Sequence, residues 1–193
     1  MMRYACLKQE RYESGPLAVI PVREEDMELI RVWRNEQIRV LRQKKPLSPE
    51  DQRRYFREAV LPTFEQPHPP MLLFTYLLEE RPIGYGGLVH IDWDHRRAEV
   101  SYLLETARSQ EAADGEYAWL FSTFLDLMKR IAFDELGFNR LHAETFDIRQ
   151  LHVQIMERNG FRLEGRMRQH VWIDGRFVDS LIHGCLREER NLG

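Results

Sequence analysis

Cysteine is nearly absent from the 193-residue chain, and the two present, Cys6 and Cys185, are too few and too far apart for a disulfide framework or a thiolate metal cluster. A reducing, cytoplasmic setting is therefore expected. Long apolar runs are missing too: Met71 to Leu78, interrupted by Thr75, falls far short of the roughly 20 residues that a membrane span needs. The start, Met1-Met2-Arg3-Tyr4-Ala5-Cys6-Leu7-Lys8, has no apolar stretch of the kind a signal peptide carries. The chain also lacks a basic excess. Its 28 Lys and Arg stand against 31 Asp and Glu, a formal net charge of -3, which argues against a nucleic-acid partner. His142, His170 and His183 fall on separate expected strands without ligand spacing, so no metal site is expected. Internal repeats and low-complexity tracts are absent.

What is present suits one globular domain over residues 1–193, with 43% hydrophobic and 31% charged residues. The β-branched run Leu17 to Val22 predicts a first strand. Met27, Ile30 and Trp33 recur every three residues between Glu24 and Asn35 and predict an amphipathic helix. Ser48, Pro49 and Asp51 are the start of a second, because serine caps free amides, proline suits the first helical position and Asp51 completes a capping box. Pro62 to Pro70 is expected to be a loop, since proline removes a backbone donor. Strands are expected over Met71–Leu78, Ile83–Ile91 and Ala98–Leu104, separated by short polar breaks. From Glu116 to Leu136, the apolar positions Trp119, Leu120, Phe124, Leu127, Met128, Ile131 and Leu136 predict a long core-facing helix closed by Gly137. A strand over Arg140–Phe146, a helix over Gln150–Arg158 stopped by Asn159-Gly160, and a hairpin about Asp174-Gly175 complete the chain. The order implies a βαβ crossover beside antiparallel strands.

Taken in sequence, Ile83-Gly84-Tyr85-Gly86-Gly87-Leu88, Ala98 to Leu103, Ile131 to Leu141, Ile155 to Arg166 and the closing hairpin Asp174-Gly175 to Asp179 resemble the GNAT superfamily of N-acetyltransferases. Order and spacing carry the resemblance, over most of residues 17 to 184. It is similar to the ribosomal-protein and nucleotide-amino-sugar N-acetyltransferase branch. The resemblance implies an α+β, three-layer α/β/α fold with a mixed, mostly antiparallel central sheet and a splayed parallel strand pair. It also implies acetyl-CoA as co-substrate, with Leu103 and Leu104 facing the pantetheine and Arg108, Gly115, Glu116, Tyr117 and Ala118 near the phosphates, where a helix start favours anions. Arg149, where the family often has asparagine, is with His152 a further candidate coenzyme contact, and Met156 stands where the family often has a tyrosine proposed as general acid. His152 lies where relatives carry a small polar residue near the coenzyme. The loop before the helix is acidic, with Glu111, Asp114 and Glu116.

Attack on a thioester requires a neutral amine, so a base must remove the ammonium proton directly or through water. Glu99 is the first candidate, with His90 and Asp92 next; each also fits an ordinary hydrogen-bonded residue beside a hairpin. Trp33, Arg34 and Asn35, in a region that overlies the acceptor pocket in this superfamily, are candidate acceptor contacts together with Tyr85. Arg34 suits a diphosphate or sugar hydroxyls and Trp33 a ring, although both also suit a core tryptophan and a surface charge. The cluster Gly84, Gly86 and Gly87 implies a bulge or a close backbone approach. The expected reaction is acetyl transfer to a primary amine, the preferred acceptor a nucleotide-linked amino sugar. A protein N-terminus, an aminoglycoside-like amine and a non-catalytic binding module remain open, as does a monomer or a homodimer.

Overall fold

The structure, a computed structural model, describes residues 3–109 and 115–190. The chain divides into two compact units, Met1–Ile91 with Ser101–Gln110, and Asp92–Val100 with Glu111–Gly193.

In the first unit, β1 (Tyr12–Ser14) turns at Gly15 into β2 (Leu17–Pro21), every residue of which is buried. A continuous apolar run, rather than an alternating one, is what a strand covered on both faces requires. β3 (Leu72–Leu78) and β4 (Arg81–Asp92) follow, and all neighbours in the order β1–β2–β3–β4 are antiparallel. The β3–β4 turn places Glu79 and Glu80 at φ 47 and 69, the left-handed pair that a two-residue hairpin demands. β4 starts two residues before the expected Ile83. Its pairing slips opposite Tyr76 and Leu77, beside Pro82, whose nitrogen cannot join a ladder.

The glycines of β4 have a steric reason. A Cβ on Gly84 would lie 2.7 Å from the Leu103 carbonyl oxygen, and one on Gly87, at φ 151, would lie 1.9 Å from that of Leu72. Neighbouring backbones therefore approach closer than any side chain permits.

After a helical turn at Glu24–Asp26, α1 (Met27–Glu36) buries Met27, Ile30 and Trp33 as its spacing predicts. Asp26 is buried at its start but fully engaged, accepting from Thr75 Oγ1 at 2.7 Å and from Arg23 in two bonds of 2.8 Å. α2 (Pro49–Tyr55) begins with the expected capping box: Asp51 N donates to Ser48 Oγ at 3.0 Å and Ser48 N to Asp51 Oδ2 at 3.2 Å. Helical backbone then continues through Phe56–Val60 and a turn at Leu61–Phe64, past the expected loop boundary at Pro62. Pro62 lies in the first turn of the new segment, where its missing N–H has no partner to lose.

The second unit holds the first half of β5 (Arg97–Leu104), then α3 (Glu116–Lys129), β6 (Arg140–Phe146), α4 (Gln150–Arg158), β7 (Arg162–Ile173) and β8 (Arg176–Leu186). Here the sheet is mixed, in the order β5–β6–β8–β7. Arg97, Ala98 and Glu99 pair in parallel with Arg140, Leu141 and His142, and the other pairs are antiparallel. α3 buries Tyr117, Leu120, Phe121, Phe124, Leu125, Leu127 and Met128, whereas Trp119, expected in that stripe, is 45% exposed. At 100° per residue, position 119 points away from the face shared by 117, 120, 121, 124 and 128. The helix widens into a π-type turn at Arg130–Glu135 and ends before Gly137, at φ 69. Asp174 and Gly175, at φ 49 and 76, make the expected hairpin turn, but the ladder runs back to Arg162 and on to Leu186. The part of β7 before Val171 escapes recognition because β7 is the edge strand of this order and most of its side chains are exposed, which erases the apolar alternation. Among the described residues no helix is long and apolar enough to cross a membrane.

The contact at Gly87 yields a first prediction. Gly87→Ala sets a methyl group against the Leu72 carbonyl and should destabilise the protein by about 2 kcal/mol or more. Denaturant midpoints would show it; an unchanged midpoint would mean β3 and β4 can separate at no cost.

Candidate active site

On the first unit, α1 ends in a polar network. Asn35 Oδ1 accepts from Leu47 N at 2.8 Å and from Gln43 Nε2 at 2.9 Å, while Asn35 Nδ2 donates to Leu47 O at 2.9 Å. Arg34 Nε donates to Gln43 Oε1 at 3.0 Å. Asn35 thus straps the loop before α2 to α1 by both edges of one backbone residue. Trp33 is 7% exposed and packs as a core residue. Tyr85 is likewise buried, at 6%. Tyr55, absent from the candidates above, is 40% exposed, and its hydroxyl lies 3.5 Å from Met71 Sδ. Burial pushes that phenol up to about 12, with Tyr85 adding to the rise and the Arg34 guanidinium opposing it, so the three groups are electrostatic neighbours.

The catalytic candidates differ in setting. Glu99 is 7% exposed on β5, paired in register with His142 of β6. His90 is exposed in β4 with a left-handed φ of 49. Asp92 closes a turn, accepting from His95 N at 2.9 Å and from Arg97 Nη2 at 3.1 Å. The backbone donor first and the guanidinium second hold its carboxyl below the usual range, which weakens it as a proton acceptor. At the far end of β5, Leu103 and Leu104 are buried, and the Leu104 carbonyl accepts from Gln37 Nε2 at 2.7 Å. Nothing in the sequence pointed to Gln37, because its partner lies 67 positions away. Arg108 Nε donates to Glu105 Oε1 at 2.5 Å.

On the second unit, the starts of α3 and α4 share one cluster. Gly115 caps α3 at φ 71, and the N–H groups of Glu116, Tyr117 and Ala118 precede the first intrahelical bond, from Trp119 N to Gly115 O at 2.9 Å. Glu111 and Asp114 of the acidic loop lie outside the described residues. Tyr117, 1% exposed, has its hydroxyl 2.7 Å from His152 Nδ1 and 2.8 Å from Arg149 Nη2. Phe121 stacks on the His152 ring at 4.1 Å and 15°. Met156 is fully buried in α4 and accepts from Thr145 Oγ1 through its sulfur at 3.8 Å. Helix-start amides beside a guanidinium are a donor set that fits a phosphate. Among the described residues no three His, Cys, Asp or Glu side chains converge as metal ligands.

The second unit is thus built on a parallel strand pair within an otherwise antiparallel sheet, crossed by α3 and followed by α4, whose Arg149 meets Tyr117 of α3. A family model for the acetyltransferase (GNAT) domain matches residues 20–182, and the chain belongs to that family. It is an acetyl-CoA-dependent N-acetyltransferase with acetyl-CoA as co-substrate. Among solved structures, it is similar to a spermidine N-acetyltransferase from Vibrio cholerae in complex with CoA and spermine, with a TM-score of 0.79 at 16% identity over 92% of this chain and 99% of that one. A dodecameric spermidine N-acetyltransferase from the same organism, in an intermediate state, is similar with a TM-score of 0.75 at 17% identity over 91% and 96%. At such identities the likeness is one of fold. No curated protein matches the sequence.

Buried histidines make stability depend on pH. Burial, then the charge of Arg149, then His183 lower the His152 pKa well below 6.5, and burial also lowers that of His183. Unfolded imidazoles gain a proton near 6.5 that the folded ones refuse, so the unfolded state binds more protons there. Stability is therefore complete above that value and is lost as pH falls through it. Denaturant midpoints at about pH 7.5 and 5.5 should differ, and by less in His152→Gln; an equal difference in the variant would acquit His152.

Proposed function

We propose that this N-acetyltransferase acetylates a primary amine on an acceptor that carries negative charge, of which a nucleotide-linked amino sugar is the preferred example. One observation carries the reading: residues 31–57, from α1 through α2, contain nine Lys or Arg against three Asp or Glu, in a chain whose net charge is -3. Family members place this region over the acceptor, and here it would attract a diphosphate. Arg34, with its terminal nitrogens beyond the single Nε bond to Gln43, is the proposed phosphate or hydroxyl contact, and the exposed Tyr55 ring the proposed stacking surface. Asn35 acts by shaping the loop. The similar solved enzymes are spermidine acetyltransferases, which makes a polyamine the second reading. A polycation, however, is disfavoured by a basic acceptor side. The protein N-terminus remains a further alternative acceptor.

For the chemistry, Glu99 is the proposed base, taking the ammonium proton directly or through one water as the amine attacks the acetyl carbonyl. The C–N bond forms, the C–S bond breaks, CoA leaves as its thiolate, and the second proton shed by the nitrogen passes to solvent water. No tyrosine stands at position 156 to return a proton, so the leaving thiolate takes its proton from water in this reading. Two free thiols, Cys6 and Cys185, support a reducing, cytoplasmic setting, and the family match across both units supports one catalytic domain.

Turnover with acetyl-CoA should be highest with a nucleotide-linked 4-amino sugar, lower with peptide N-termini and lowest with spermidine. Faster turnover of spermidine would overturn the anionic-acceptor reading. Arg34→Ala should raise KM for the nucleotide sugar roughly tenfold at little change in kcat. Glu99→Gln should cut kcat/KM at neutral pH by about 100-fold or more and remove the acidic limb of the pH profile; a profile that keeps this limb would remove Glu99 from the mechanism.

A further inference from the structure

We infer that Tyr117 and His152 form a positioning pair that holds the Arg149 guanidinium at the start of α3, where it provides the cation for the pyrophosphate of the co-substrate. The role belongs to acetyl-CoA binding and is independent of which amine is acetylated.

The need is electrostatic. Between Arg108 and Lys129 the chain contains no Lys or Arg, while Glu111, Asp114 and Glu116 sit at the approach to α3. Arg108 is bonded to Glu105 at 2.5 Å, a carboxylate that also meets Arg81 at 3.3 Å. Helix-start amides alone carry about half a positive charge, against the two negative charges of a pyrophosphate. A full cation near that helix start therefore has to come from another element. Arg149, the residue capping α4, places Nη2 at 2.8 Å from the hydroxyl of Tyr117, which is in the first turn of α3. Among the described residues Arg149 makes no ion pair that would cancel its charge.

Hydrogen-bond direction explains the other two residues. Arginine can only donate, so the Tyr117 oxygen accepts, and its own proton goes to His152 Nδ1 at 2.7 Å. That assignment requires a neutral imidazole protonated on Nε2. Burial to 6% exposure and the adjacent guanidinium keep His152 uncharged, and Phe121, stacked at 4.1 Å, fixes the plane of the ring. The chain of bonds therefore runs one way, from guanidinium to phenol to imidazole. One donor of the guanidinium is spent on holding it in place. The other four remain in the planar fork that matches phosphate oxygens. Asparagine, frequent at this position in relatives, can donate but brings no charge.

The test compares CoA with pantetheine, which lacks the phosphates, as ligands of the full chain, with affinities read by calorimetry and competition. Arg149→Gln and Tyr117→Phe should each lower the ratio of CoA to pantetheine affinity roughly tenfold, and Arg149→Lys should recover part of it by restoring charge without the fork. Tyr117→Phe added to Arg149→Gln should cost little more, because the phenol acts through the guanidinium. An unchanged ratio in Arg149→Gln would overturn the inference even if Tyr117→Phe did not fold. Additive losses would overturn the positioning role of Tyr117, and an equal fall for both ligands would reduce the cluster to a structural part.

Discussion

Parallel strands cannot be joined by a tight turn, so the pairing of Arg97–Glu99 with Arg140–His142 obliges the chain to cross through α3 before β6 can lie beside β5. The crossover sets where α3 begins, and the antiparallel return of β8 onto β6 completes the support for α4. Both helix starts are thereby brought together, as the 2.8 Å bond from Arg149 to Tyr117 records. The same three-residue ladder places the carboxylate of Glu99 opposite His142 and stops there.

Charge is distributed to match two different tasks. Residues 31–57 are strongly basic, while the stretch leading into α3 is acidic, and the chain as a whole is close to balance. A single net charge hides both. Near α3 the imbalance is met locally by one guanidinium held by a buried phenol and a neutral imidazole. Along α1 the polar side chains instead shape a loop, since Asn35 spends its whole amide on Leu47 and Gln43. Close backbone approach at Gly84 and Gly87 holds β4 against Leu103 and Leu72.

Much of the fold is legible in local chemistry. The capping box at Ser48, the apolar spacing of α1, and the Asp174-Gly175 turn all depend on residues within a few positions of one another, so their outcome follows from the sequence directly. Elements went unread where that locality fails. β1 is too short for a pattern, the part of β7 before Val171 belongs to an edge strand with exposed side chains, and the helical turn at Pro62 follows a helix that proline would break from within but not at a start. The site divides in the same way. Glu99, Arg149 and His152 stood out by position in a recognisable order, whereas Gln37, Tyr55 and the burial of Trp33 depended on contacts far away in the chain.

Sequence by itself determined the family, because the order and spacing of short motifs survive even where individual residues have changed, and the resemblance singled out Arg149 and Met156 as departures from the family pattern. Only tertiary structure decided what those changes mean. Met156 is sealed in the core, while Arg149 gains a fixed direction from Tyr117, 32 positions earlier, and through it from His152. Spacing along a chain carries periodicity and turn chemistry, but the direction of a hydrogen bond between two helices exists only once both are packed.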